Sequence, residues 1–149
     1  MRDREAWAHA HRSARGQRVA GEALKLHAQR LTQLNTVTAY GPGYIEINGA
    51  RHSGNLILLP ALVQPWPVAG FEMLRAEDFD QVLGQKPEVI LLGTGARHRL
   101  VPPRLTASLA RAGIALESMD TQAACRTYNI LVSDGRQVAG AFFQEETRS

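Results

Sequence analysis

The run Leu92-Gly93-Thr94-Gly95-Ala96-Arg97-His98-Arg99 holds the residue types in this 149-residue chain best suited to chemistry. Glycines on either side of a threonine let successive backbone N–H groups turn toward an anion as a nest. Arg97, His98 and Arg99 would add positive charge beside it. The run leaves an apolar strand, and open α/β sheets hold ligands outside the carboxyl ends of their strands. It is neither a dinucleotide fingerprint nor a P-loop, because the third glycine and the Lys-Ser/Thr pair are missing. A tight structural turn carrying solvated basic side chains is the competing reading of the same residues.

The other reactive residue types do not assemble into a catalytic set. Cys125 lies in the early turns of a helix beside Arg126, and both features lower a thiol pKa. However, Thr121, Ala124, Cys125, Tyr128, Leu131 and Val132 share one helical stripe, while Gln122, Arg126, Asn129 and Ser133 share the other. Cys125 is therefore predicted to point into the core as a small hydrophobe. His9 and His11 fall in an arginine-rich start, and His27, His52 and His98 sit on separate elements without ligand-like spacing. Ser53 follows His52 but lacks a nucleophile-elbow context. No catalytic residue, metal site or cofactor follows from these groups. Asp120 or Thr121 suits a helix N-cap, and Glu117 is a polar position on a strand. Trp66, between Pro65 and Pro67, is a large, stiff side chain that could anchor an interface or lid the core.

The elements that must position these residues are clearest from Pro87 to Phe143. Val89 to Leu92 is apolar at every position, as in a strand covered on both faces. A helix follows, with Pro103 in its first turn, a stripe of Leu105, Leu109 and Ala112, and Gly113 to end it. Ile114 to Met119 is the next strand, then the Thr121 helix, then an internal strand over Gln137 to Phe143. That βαβαβ alternation predicts an α/β fold with a mixed, largely parallel central sheet. Upstream, Tyr40-Gly41-Pro42-Gly43 is turn chemistry. Tyr44 to Ile47 and Ala50 to Ser53 form a predicted β-hairpin about a type I′ Asn48-Gly49 turn. Asn55 to Leu59 is a further strand, Gln64 to Val68 an extended edge crossing, and Ala76 to Leu83 a short helix built on Phe79, Val82 and Leu83.

Charge is unevenly placed. Residues 1–30 carry seven of the 17 basic residues against three acids, so the net charge of +3 belongs to the N-terminus. The folded body has no nucleic-acid footprint on this count. Residues 1–22 read as a flexible basic extension, with an organelle transit peptide and a nucleic-acid or lipid-binding arm as alternatives. Residues 23–149 read as one α/β domain. A single cysteine forbids an internal disulfide and suits a reducing compartment. No apolar run approaches membrane-spanning length.

The order YGPGYIEING, Ser53, LILLP, Trp66, PEVILLGTG and GIALESMDTQAACRTYNILVSDGRQVAGA resembles a widespread family of small domains of unknown function. Its members include mitochondrial NADH:ubiquinone oxidoreductase (complex I) assembly factor 3 and bacterial relatives. The likeness runs from about Leu24 to Phe143. Gly41, Gly43, Ser53, Pro60, Trp66, Gly93, Thr94, Gly95, Glu117, Met119, Thr121, Ala124, Cys125, Thr127, Tyr128 and Asn129 carry it. The resemblance implies a three-layer α/β domain, no established enzymatic activity, and protein partners drawn from respiratory-complex assembly. The expected function is thus a non-enzymatic interaction or assembly factor in the cytoplasm. Gly93, Thr94, Gly95, Arg97, His98, Arg99, Thr121 and Trp66 are the candidate binding residues. The rival expectation is an anion or small-molecule site on the Gly93–Arg99 loop.

Overall fold

The computed structural model describes residues 34–144. The expected basic extension over residues 1–22, and the leucines at 24, 26 and 31, lie outside the described residues. Two sheets organise the rest. In the first, β1 (Val37–Gly41), β2 (Tyr44–Ile47) and β3 (Ala50–Ser53) pair antiparallel in that order. Asn48 and Gly49 take the positive φ values of 49° and 86° that their two-residue turn demands. Ile45 and Ile47 both face inward, as their alternation requires. The predicted hairpin is thus part of a three-stranded sheet, because Val37 to Gly41 adds a strand across the Pro42-Gly43 turn.

The second sheet has the order β5-β4-β8-β6-β7. Its strands are β4 (Leu56–Leu59), β5 (Leu62–Pro65), β6 (Val89–Gly93), β7 (Ala115–Met119) and β8 (Val138–Phe142). β6 runs parallel to both β7 and β8, whereas β4 is antiparallel to both β5 and β8. The sheet is mixed, but "largely parallel" needs correction. Pro60 and Ala61 leave room only for a tight turn between β4 and β5, and a two-residue connection can join antiparallel neighbours only. Together with the long-range β4–β8 pair, this makes half the pairings in the sheet antiparallel. The expected edge crossing at Gln64 and Pro65 falls on the outer strand β5.

Three α-helices lie among the described residues. A 3-10 turn at Ala76–Phe79 runs into α1 (Asp80–Leu83), followed by α2 (Pro103–Arg111) and α3 (Thr121–Ser133). No helix among these residues is long and apolar enough to cross a membrane. Successive strand residues face opposite sides of the sheet. Ile57, Leu59, Ile90, Leu92, Ala139 and Ala141 share one core cluster with Phe79, Val82 and with Leu105 and Leu109 of α2. α3 turns Ala124, Cys125, Tyr128 and Val132 inward, and Tyr128 meets Phe142 edge-on at 6.4 Å. Each fully buried side chain of leucine size contributes about 1.5–3 kcal/mol, so this core outweighs the surface polar contacts. Ala112 is exposed and not part of the α2 stripe. It is the residue that caps the helix, and Ile114 takes the buried place beyond it.

Gly140 sits mid-strand in β8, paired with Leu58 on one side and Leu91 on the other. The Phe142 ring folds back over it, and a Cβ added at Gly140 would lie 2.4 Å from that ring. Gly140→Ala should therefore lower stability by about 1–3 kcal/mol through overpacking, measured by thermal or urea unfolding. Gly70→Ala is the control: its φ is −179°, ordinary extended backbone, and nothing lies within 4 Å of the added atom. Equal melting of the two variants would contradict this account of the β8 core.

Candidate functional site

The loop after β6 is held by the first residue of α3. Asp120 caps that helix by accepting the Ala123 N–H at 2.9 Å, which frees Thr121 for other work. The Thr121 hydroxyl accepts the Gly95 N–H at 2.9 Å and donates to the Phe143 carbonyl at 2.6 Å. Its own N–H donates back to the Gly95 carbonyl at 2.9 Å. Only glycine fits at position 93, because a Cβ there would lie 2.8 Å from the Thr121 hydroxyl oxygen and 2.9 Å from its Cα. Thr94 is 1% exposed. Its N–H donates to the Met119 carbonyl, while its hydroxyl donates to the Arg97 carbonyl at 2.7 Å and accepts the Arg99 N–H at 3.0 Å. The amide hydrogens of Thr94, Gly95 and Arg99 are thus spent inside the protein. A nest offers an anion the hydrogens that this loop uses to fasten itself.

What the loop presents outward is side chains. Arg97 and His98 are exposed, with His98 Nε2 3.0 Å from the Ser118 hydroxyl. Arg99 is half-buried. Its guanidinium lies 5.6 Å from the centre of the Phe71 ring and 3.5 Å from a Glu72 carboxylate oxygen. Leu100 is 85% exposed. Two clefts flank the ridge formed by Gly95, Phe143 and Gln144. One, of about 230 Å³, opens toward the β1–β2 turn and is lined by Tyr40, Pro42, Tyr44 and Gln122. The other, of about 510 Å³, brings Trp66, Thr94 and Arg99 together with Phe71, Glu72 and Asn55. Trp66 is 3% exposed. Its indole N–H donates to the Asp78 carbonyl at 2.8 Å, and its ring packs 4.8 Å from Phe143 and 5.7 Å from Phe79. Of the two roles open to Trp66, it takes that of core lid and reaches the second cleft from beneath.

Cys125 lies in the core, where burial pushes its thiol up to about 12 against the pull of Arg126. The other stripe of α3 is not simply solvated. Asn129 accepts the Val37 N–H and donates to the Val37 carbonyl, both at 2.8 Å, and so fastens β1 to the helix as a neighbouring strand would. Arg126 donates to the Tyr40 hydroxyl at 2.9 Å. His52 and Ser53 stand on β3, apart from the loop, and the His52 carbonyl accepts the Gln144 side chain at 3.2 Å. His9, His11 and His27 lie outside the described residues. Leu100 and Asn129 are the positions that sequence reasoning left out of the site. The two prolines after Leu100, which hold a bulky apolar residue out of any helix, were its available signal.

Comparison with known proteins matches residues 37–143 to a family described as a protein of unknown function (DUF498/DUF598). An uncharacterised protein of Rhodobacter capsulatus is 36% identical over 105 residues, covering 70% of this chain and 81% of its own length. NADH dehydrogenase (ubiquinone) 1 alpha subcomplex assembly factor 3 of Bos taurus is 34% identical over 107 residues. That match covers 70% of this chain and 58% of the bovine protein, so the chain spans less than two thirds of that relative. The crystal structure of a Bordetella parapertussis protein superposes with a TM-score of 0.71 at 46% identity, covering 75% of this chain and 97% of that one.

Two outcomes follow from the geometry. Thr121→Val should cost about 2–3 kcal/mol in urea unfolding, because the Gly95 N–H and the Phe143 carbonyl lose their partner, whereas Thr121→Ser should retain most of the stability. Loss in Thr121→Ser with retention in Thr121→Val would show that the methyl group, not the hydroxyl, holds the loop. Cys125 should resist a bulky maleimide until the protein unfolds. Its folded pKa stands above the ordinary value of 9.0, so the unfolded chain releases the proton first. Stability should therefore be indifferent to this group below that pH and fall above it, which unfolding measured on both sides of the ordinary value checks.

Proposed function

The chain belongs to the DUF498/DUF598 family of proteins of unknown function, and from that premise we propose that it works by binding other proteins, as an assembly factor for a respiratory complex. The observation that carries this reading is the 34% identity to assembly factor 3 over 107 residues. The loop geometry supports it from another side. Gly93, Thr94, Gly95 and Thr121 act as scaffold, with their polar groups turned inward, and they hold Arg97, His98 and Arg99 where a partner can reach them. Trp66 stiffens the floor of the adjoining cleft. We read the domain as three layers, with α3 and the small sheet on one side of the five-stranded sheet and α1 and α2 on the other. The alternate facing of the strand residues supports that layering. A rigid scaffold under a short exposed segment keeps the ordering cost of binding low.

The test is affinity capture with the full chain from detergent-solubilised cells of the native organism after mild cross-linking. Subunits or assembly proteins of a respiratory complex should be recovered, and Arg97→Glu combined with Leu100→Asp should reduce their recovery several-fold without changing the melting temperature. Recovery of no such protein would overturn the assembly reading, and equal recovery by the variant would remove this surface from it.

A further inference from the structure

Between Glu88 and Glu117 the chain carries Arg97, Arg99, Arg104 and Arg111 and not one acid. Folding keeps that imbalance at the surface, since Arg97, Arg104 and Arg111 are all exposed. Seven residues apart on α2, Arg104 and Arg111 fall on one flank of the helix, turned away from Leu105 and Leu109. Among the described residues these three arginines have no carboxylate partner. Glu72 approaches Arg99 to 3.5 Å, with its own side chain 86% exposed. Leu100 stands in the middle of the run. Val101, Pro102 and Pro103 follow it, and the prolines hold the chain extended until α2 begins. A lone exposed leucine is ordinary. A leucine presented on a proline-stiffened segment between the exposed Arg97 and Arg104 has the form of an apolar anchor inside a charged rim.

We infer that this surface docks an acidic protein segment that also supplies an apolar side chain to cover Leu100. The inference rests on the protein-binding reading of the domain and adds the chemistry of the partner. Carboxylates on the segment answer Arg97 and Arg104 through complementary charge. The 510 Å³ cleft beside Arg99 gives the same segment a place to enter. A bilayer would press on Leu100 and the arginines but leave that recessed polar cleft unfilled, so the shape favours a polypeptide over a lipid surface.

The experiment uses the full chain and fluorescent peptides of about twelve residues, alternating Glu with Leu in one and Lys with Leu in the other. Binding is followed by anisotropy, alongside co-sedimentation with phosphatidylcholine vesicles containing phosphatidylglycerol. The acidic peptide should bind and the basic one should not. Arg97→Glu with Arg104→Glu should weaken acidic-peptide binding by about tenfold, and Leu100→Ser by several-fold, with melting unchanged in both. Equal binding of the two peptides, no binding of either, indifference to both variants, or retention on vesicles without peptide binding would each overturn the inference. Capture of respiratory-complex proteins without an acidic-peptide preference would sink this inference and leave the assembly reading intact. Acidic-peptide binding without such capture would do the reverse.

Discussion

The meeting of Gly93 with Thr121 is the contact on which the site end of the molecule depends. Four chain segments converge there: the end of β6, the loop after it, the start of α3 and the residue following β8. Glycine at 93 lets the helix start come within the distance that any side chain would forbid. Asp120 does the capping, so the Thr121 hydroxyl is free to use both its hydrogen and its oxygen. One small side chain then closes a ring of bonds through Gly95 and Phe143, and the Phe143 N–H returns to the Gly93 carbonyl at 2.8 Å. Buried polar groups without partners would be costly here, and the Thr94 and Thr121 hydroxyls and the Gly95 and Phe143 amides each have one.

That completeness decides what the loop can offer. A phosphate-gripping loop keeps its N–H groups unspent and turned outward, at the expense of internal fastening. Here the N–H groups of Thr94, Gly95 and Arg99 are taken by the fastening, and the side chains exposed are those of Arg97, His98 and Leu100. The second cleft belongs to the same logic. Its floor is stiffened by Trp66 packed between Phe79 and Phe143, and its mouth is set by Arg99 lying near Phe71 and Glu72.

Local rules made much of this legible in the residues themselves. An unbroken apolar run over Val89 to Leu92 means a strand covered on both faces, and Asn48-Gly49 means a tight hairpin. Asp before Thr121 means a cap, and the stripe through Cys125 means a buried thiol. Each of these is settled by residues within a few positions of one another. The features that escaped depend on residues far apart. β1 exists as a strand because β2 pairs with it and because Asn129, 92 positions away, supplies the bonds a neighbouring strand would. The antiparallel half of the large sheet follows from β4 pairing with β8, across more than 80 residues. An isolated asparagine on a helix carries no sign of such a role until the chain is folded.

The positions of the shifted acids bear on the choice between binding and catalysis. Groups tuned for proton transfer or nucleophilic attack sit in clefts, where burial and neighbouring charges shift their pKa values toward the working pH. Cys125 and Tyr128 are both pushed upward by burial in the core, and neither lines either of the two clefts described above. Their shifts keep them neutral and inert, and they report packing. At the mouth of the larger cleft Arg99 lies 5.6 Å from the Phe71 ring centre and 3.5 Å from the exposed Glu72 carboxylate, an ion pair of the kind that water screens. The proposed docking rests on rim contacts of this exchangeable kind over a packed floor.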